Sequence, residues 1–147
     1  MKHFAYSLFL SFLASLAQAG SGEFGSLEEA RDYANQLSTI IREDSVEASM
    51  LAMHSPDHPF QSSPMGIHVF EQGIIVADNR EPELISVSYE DLADLTGENM
   101  WPRIVEAANS KSEAELEWYH YDTGAEYSFA CYSEWAVPDE VLIMVCR

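Results

Sequence analysis

The chain has 147 residues, 47% apolar and 22% charged, with 7 basic side chains against 25 acidic ones. That length holds one domain plus at most a short processing segment, and the apolar fraction excludes a disordered acidic tail, which lacks the hydrophobes to collapse. A net charge of -18 keeps the protein soluble and excludes DNA, RNA and anionic membrane surfaces as natural partners, because every phosphate is approached against repulsion.

The first nineteen residues read as a secretory signal peptide. Lys2 supplies a positive start, residues 8–16 (LFLSFLASL) are apolar, and Ala17-Gln18-Ala19 places small residues where a signal peptidase reads. The apolar run is shorter than the ~20 residues a membrane span needs. The expectation is cleavage after Ala19, a single domain over residues 20–147, and a soluble periplasmic or secreted product of net charge -19 once Lys2 is lost. No later segment reads as transmembrane, and no cysteine follows the cleavage site, so no lipid anchor is predicted there.

Residues 20–25 (GSGEFG) read as a flexible lead-in. Ser26 with Glu29 three residues on forms a capping box. Leu27, Ala30, Ala34, Leu37 and Ile41 then make one apolar stripe, which persists through Ala48 and Leu51. The spacing predicts a long helix reaching about Met53. Ser55-Pro56-Asp57 and His58-Pro59 end it, and a loop follows to Pro64. Residues 67–70 and 74–77 are short apolar runs around Glu71-Gln72-Gly73, a hairpin signature. After a polar loop at residues 79–82, Ile85, Val87 and Tyr89 alternate as an extended piece. Ser88 and Asp91 then predict a short helical turn closed by Gly97. Pro102 suits the first turn of a second helix ending near Asn109. Ala114, Leu116, Trp118 and His120 alternate with Glu113, Glu115, Glu117 and Tyr119, giving a half-buried strand with an acidic outer face. Asp122-Thr123-Gly124 is a turn, and two more strands follow. The last, residues 141–145, is apolar on both faces and so belongs in the middle of a sheet.

The two cysteines fall in those final strands. If Pro138-Asp139 is the turn between them, cross-strand partners have numbers summing to 277, which Cys131 and Cys146 satisfy. Directly opposed residues have Cβ atoms ~4.5–5.5 Å apart, close to what a disulfide needs, and an exported chain permits one. The register predicts a Cys131–Cys146 bridge, with Trp135 opposite Leu142 on the same face. A bridge also removes both thiols as nucleophiles.

The element order and three phrases resemble the single Cache domain, an extracytoplasmic PAS-like family of bacterial sensory proteins. The phrases are VFEQGIIVADNREPEL (residues 69–84), DLTGENMWPRIVEAA (94–108) and YHYDTGAEYSFACYS (119–133). With the long helix, the likeness spans residues 26–146. It implies an α+β fold in which a long N-terminal helix packs on a five-stranded antiparallel PAS-like sheet. It also implies a small-molecule ligand held at the sheet's concave face, and membership of the membrane-receptor world. This chain shows no second membrane span and no output domain, so the expectation is that it acts alone or with a separate membrane receptor. Two departures bear on the ligand. The lysine many members carry before a Ser-Tyr pair is absent from Tyr127-Ser128-Phe129-Ala130, and Trp118-Tyr119-His120-Tyr121 replaces their Trp-x-Asn-Pro. The resemblance therefore carries the fold further than it carries a carboxylate ligand.

The candidate ligand-binding residues are Trp101, Arg103, Trp118, His120, Tyr127 and Phe129. Trp118 with His120, and Tyr127 with Phe129, point together from neighbouring strands, while Trp101 and Arg103 begin the covering helix. Aromatic walls with a few donors are how small-molecule sites are built, although each aromatic also suits a core. Arg103 offers a two-pronged clamp for a carboxylate, or a surface partner for Glu98 or Glu106. His54, Asp57 and His58 lie close in sequence but lack a fourth ligand, so no metal is assigned. Glu81, Glu83, Glu90, Asp91 and Asp94 lack EF-hand spacing and read as a solvated face. No nucleophile elbow, zinc-protease motif, Walker loop or dinucleotide glycine pattern occurs. The reading is a non-enzymatic ligand-binding domain without a cofactor. A structural or protein-interaction module of the cell envelope is the alternative, and a small hydrolase a third.

Overall fold

Ser26 opens the first helix through its predicted capping box. Its Oγ accepts the Glu29 amide at 3.1 Å and its own amide donates to the Glu29 carboxylate at 2.7 Å, starting α1 (Leu27–Glu43). The computed structural model describes residues 23–147, so the signal-peptide reading lies outside the described residues. The helix does not run unbroken to Met53. It stops at Asp44, and the Ser45 hydroxyl takes the Ala48 amide to cap a second helix, α2 (Val46–His54). A serine side chain competing for a backbone donor is a helix start, and here it outweighs the continuing apolar spacing. In the following loop, α3 (Pro59–Ser62) is one turn with Pro59 in its first position and Phe60 buried.

The predicted hairpin forms as β1 (Gly66–Glu71) and β2 (Ile74–Asp78). Gln72 and Gly73 both have positive φ, 51° and 76°, as the tight hairpin turn requires. A bulge between Val69 and Phe70 places His68 opposite Asp78. The segment after β2 holds a single 3₁₀ turn (Pro82–Leu84) and no helical turn near Ser88. Its backbone bonds go elsewhere. Ser86 and Tyr89 donate to the carbonyls of Ile75 and Gly73, so the chain runs along the free edge of β2, and Met100 donates to Leu92. Asn99 then caps α4 (Met100–Ser110).

The last three strands are β3 (Glu113–Tyr119), β4 (Glu126–Val137) and β5 (Val141–Cys146). The five strands form one antiparallel sheet in the order β2-β1-β5-β4-β3, with every residue of β5 buried in its centre. Cys131 pairs with Cys146 and Trp135 with Leu142, as predicted, and the cysteines are bridged. The turn differs. It has three residues, Pro138 to Glu140, with Asp139 at φ 59°. A bulge at Ala136 absorbs the extra residue and restores the register beyond it.

Alternation divides the sheet's faces. Helix α1 covers one, where Glu134 accepts the Ser38 hydroxyl at 2.6 Å and the Tyr132 hydroxyl at 2.9 Å. Burial and that acidic neighbour push the Tyr132 phenol up to about 12. Residues 79–99 and α4 cover the other face, with Trp135 Nε1 donating to Asn109 at 2.8 Å. The described end of the lead-in is packed down. Phe24 is 6% exposed and packs among His120, Tyr121, Tyr127 and Phe129 with ring centroids 4.9–5.7 Å away.

Candidate functional site

The face away from α1 carries a cluster that the strand alternation assembles. His68 comes from β1, Leu116 and Trp118 from β3, Phe129 and Cys131 from β4, and Met144 and Cys146 from β5; Glu81, Tyr89, Met100 and Tyr121 roof them. They enclose a cavity of about 20 Å³, room for one or two water molecules. Two residues shape it. Gly66 has no Cβ, and one placed there would lie 1.9 Å from the Tyr121 hydroxyl oxygen, so only glycine lets that ring lie against β1. Asn79 ties the roof to β1 by accepting the Ile67 amide at 2.7 Å and donating to the carbonyls of Phe60 and Met65 at 2.9 and 3.0 Å.

At the cavity wall sits a buried ion pair. His68 Nδ1 donates to Asp78 Oδ2 at 2.8 Å, and the two residues are 3% and 1% exposed. Asp78 Oδ1 also accepts the amides of Arg80 and Glu81 at 2.8 and 2.7 Å. Burial opposes the charge on each partner, but each outweighs that for the other: the His68 pKa is raised and that of Asp78 lowered. Because Nδ1 is turned to Asp78, Nε2 is the ring's free atom, and it is buried with no hydrogen-bond partner. Glu81 accepts the Trp118 indole N–H at 3.1 Å across the roof, and burial raises its pKa. Burial and the nearby carboxylates raise the Tyr89 and Tyr121 phenols.

Two of the six predicted residues, Trp118 and Phe129, line this cavity. Trp101 packs on Phe70, ring centroids 5.3 Å apart, outside it. Arg103 lies outside this cavity and bonds Asp94 at 2.8 Å, Glu98 at 3.5 Å and the Glu115 carbonyl, which binds α4 to β3. The Thr96 hydroxyl, that guanidinium and two amides overcome burial and hold the Asp94 carboxyl well below the usual range. His120 caps the turn after β3, its Nδ1 accepting the amides of Asp122 and Thr123 at 3.2 Å each. Tyr127 meets Phe24, His120 and Phe129 edge-to-face, and its buried hydroxyl has no partner. The acidic run is not uniformly solvated, since Asp94 is buried and Glu81 turns into the roof.

Sequence reasoning passed over His68, Tyr89 and Tyr121. A usable signal was a histidine inside the apolar run Ile67-His68-Val69-Phe70, where burial demands a partner, followed by Asp78 in the paired strand. Among the described residues, no three His, Cys, Asp or Glu side chains are grouped to hold a metal ion. His58 instead accepts the Phe60 amide at 3.4 Å.

An antiparallel five-stranded sheet with a helix on one face and a roofed cavity on the other defines a PAS-like α+β domain. No family model matches the chain, and no curated protein matches it. Solved structures do. A Cache chemosensory domain, described for its carboxylic acid recognition, superposes with a TM-score of 0.64 at 12% identity, covering 82% of this chain and 90% of that one. A methyl-accepting chemotaxis protein from Vibrio parahaemolyticus gives 0.62 at 16% identity, covering 82% and 86%. The periplasmic sensor domain of a chemotaxis protein gives 0.54 at 11% identity, covering 82% and 88%. The chain has the fold of a single Cache domain.

Proposed function

We propose that the protein is an exported sensory-type domain that captures a small molecule non-covalently in the cavity beneath Trp118 and Phe129, without catalysis. One observation carries this reading: His68, whose buried Nε2 has no partner, is among the residues lining an aromatic-walled cavity. Buried polar atoms are almost always satisfied, and an open one at a cavity is best understood as awaiting a ligand atom. The fold neighbours support it, being chemosensory and periplasmic sensor domains. The apolar leader with cleavage after Ala19 and the Cys131–Cys146 bridge support a periplasmic or secreted location. A separate membrane receptor is the proposed partner. Within the site, Trp118 and Phe129 contact the ligand, while Trp101, Arg103, His120 and Tyr127 act through the framework.

The cavity is partly open but only about 20 Å³ in volume, so a larger ligand is admitted by parting the Glu81–Trp118 hydrogen bond. The test is a thermal-shift screen of amino acids, amines, organic acids and purines. A ligand at a hundred times its Kd adds about 2.7 kcal/mol of stability. A shift that Trp118→Ala abolishes while circular dichroism stays native supports the assignment. No shift across the whole panel overturns it.

A further inference from the structure

Resting on that reading, we infer that residues 80–85 form a flap over the cavity, and that its outer latch, the Arg80–Asp122 ion pair, sets how often the inner Glu81–Trp118 bond parts to admit a ligand. The flap hangs between two fixed points. On one side Asp78 and Asn79 are buried, with Asn79 accepting the Ile67 amide and donating to the carbonyls of Phe60 and Met65. On the other, Ser86 at φ 79° donates to the Ile75 carbonyl at 2.8 Å, and the chain rejoins the edge of β2.

Between those points the chain is loosely held. Every residue from Arg80 to Ile85 is half-buried or exposed. The amides of Arg80 and Glu81 go to Asp78 at the flap's root, and those of Leu84 and Ile85 to Glu81 and Pro82 within it. Among the described residues, no backbone bond from this stretch reaches the opposite wall. Two side chains do. Glu81, which lines the cavity, accepts the Trp118 indole N–H at 3.1 Å. Arg80 donates to Asp122 at 2.6 Å, with its guanidinium 5.1 Å from the centre of the Tyr121 ring. A stretch with few tertiary ties and exposed backbone is where local opening occurs first.

The two ties are neighbours on the flap and meet one corner, the end of β3 and the turn after it. Losing the outer tie leaves Glu81 alone to hold the flap down on that corner. The outer pair is also the more exposed, the Asp122 side chain at 64% and that of Arg80 at 21%. Such a pair contributes too little to anchor a fold, but enough to move an opening equilibrium several-fold. Salt screens it, whereas the bond between a neutral indole and a half-buried carboxylate is screened much less. The flap therefore opens more often as ionic strength rises.

The experiment reads the flap without a ligand. Exchange of the Trp118 indole N–H with deuterated water is followed by NMR in the full chain, and the Trp135 indole N–H, bonded to Asn109 outside the flap, is the internal reference. Arg80→Gln and Asp122→Asn are each expected to speed Trp118 exchange about three- to tenfold relative to Trp135. The double variant is expected to be no faster than either single one, because both remove the same pair. Raising salt from about 0.05 M to about 0.5 M speeds Trp118 exchange in the wild type and not in Arg80→Gln. Equal acceleration of Trp118 and Trp135 marks a loosened fold rather than a released latch and overturns the inference. A Trp118 rate that neither variant moves overturns it too. The salt series needs no variant, so a flat wild-type response overturns it even where the variants fail to fold. Whether a ligand binds is decided separately by the thermal-shift panel, so the flap and the ligand-binding reading fail independently.

Discussion

The His68–Asp78 pair is the most exacting test of the buried electrostatics. Asp78→Asn preserves shape and removes the charge. The wild-type carboxylate accepts three bonds, from His68 Nδ1 and the amides of Arg80 and Glu81. Hydrogen bonds to a charged group contribute ~1.5–3 kcal/mol against ~0.5–1.5 for neutral ones, so losing the charge at three bonds costs about 3 kcal/mol. That agrees with the ~3–5 kcal/mol for breaking a buried pair. The cost depends on pH with a definite sign. The His68 pKa is raised above 6.5, so its contribution is whole below that value and is lost as pH climbs through the folded pKa. The Asp78 pKa is lowered below 3.8, so its contribution is present above that value and is lost as pH falls through the folded pKa. The pair therefore stabilises most in the window between. Urea unfolding followed by tryptophan fluorescence at about pH 5 and about pH 9 reads this directly. The substitution costs about 3 kcal/mol at the lower pH and distinctly less at the higher one. A cost below about 1 kcal/mol at pH 5, or an equal cost at both, refutes the pairing.

Three further outcomes follow from the packing. Replacing Cys131 and Cys146 by serine opens a loop of sequence separation 15 and lowers stability by about 3 kcal/mol, read as a fall in Tm that reductant reproduces in the wild type. Phe24→Ala empties a buried ring site among four aromatic neighbours and costs about 3–5 kcal/mol in a urea titration; an unchanged midpoint would restore the free lead-in. Ser38→Ala withdraws one of the two hydroxyls that bond Glu134 and costs about 1–3 kcal/mol, which Glu134→Gln in the same background reduces by removing the charge left underbonded.

The strands were legible because their signals are local. The alternation over residues 113–119 and the doubly apolar run of β5 are periodic, and the Cys131–Cys146 register follows from counting across a turn. Elements failed where one side chain decides against a pattern. Ser45 breaks an apolar stripe that otherwise continues, and the edge of β2 draws residues 86–89 out of the helical turn that Ser88 and Asp91 suggest. Site residues were harder, because pairing and tertiary partners set them. His68 meets Asp78 only because a bulge shifts the hairpin by one residue, and no spacing rule anticipates a bulge. For Arg103 the sequence offers a carboxylate clamp or a partner in Glu98 or Glu106; the fold brings it to Glu98 and, unforeseen, to the buried Asp94 nine residues earlier.

Two buried carboxylates, one on each face of the sheet, support proposing the cavity rather than the helix face as the ligand side. Glu134, under α1, ends its network within itself: each oxygen accepts a hydroxyl, and neither hydroxyl has a further proton to place. Asp78 accepts three donors, but one of them, His68, lines the cavity and has a second ring nitrogen that is buried without a partner. A purely structural role favours the closed arrangement, because an unmet buried polar atom costs about 1–3 kcal/mol. The open end is tolerable if a ligand completes it, and the strand alternation puts it beside Trp118 and Phe129, the two predicted aromatics that do reach the cavity.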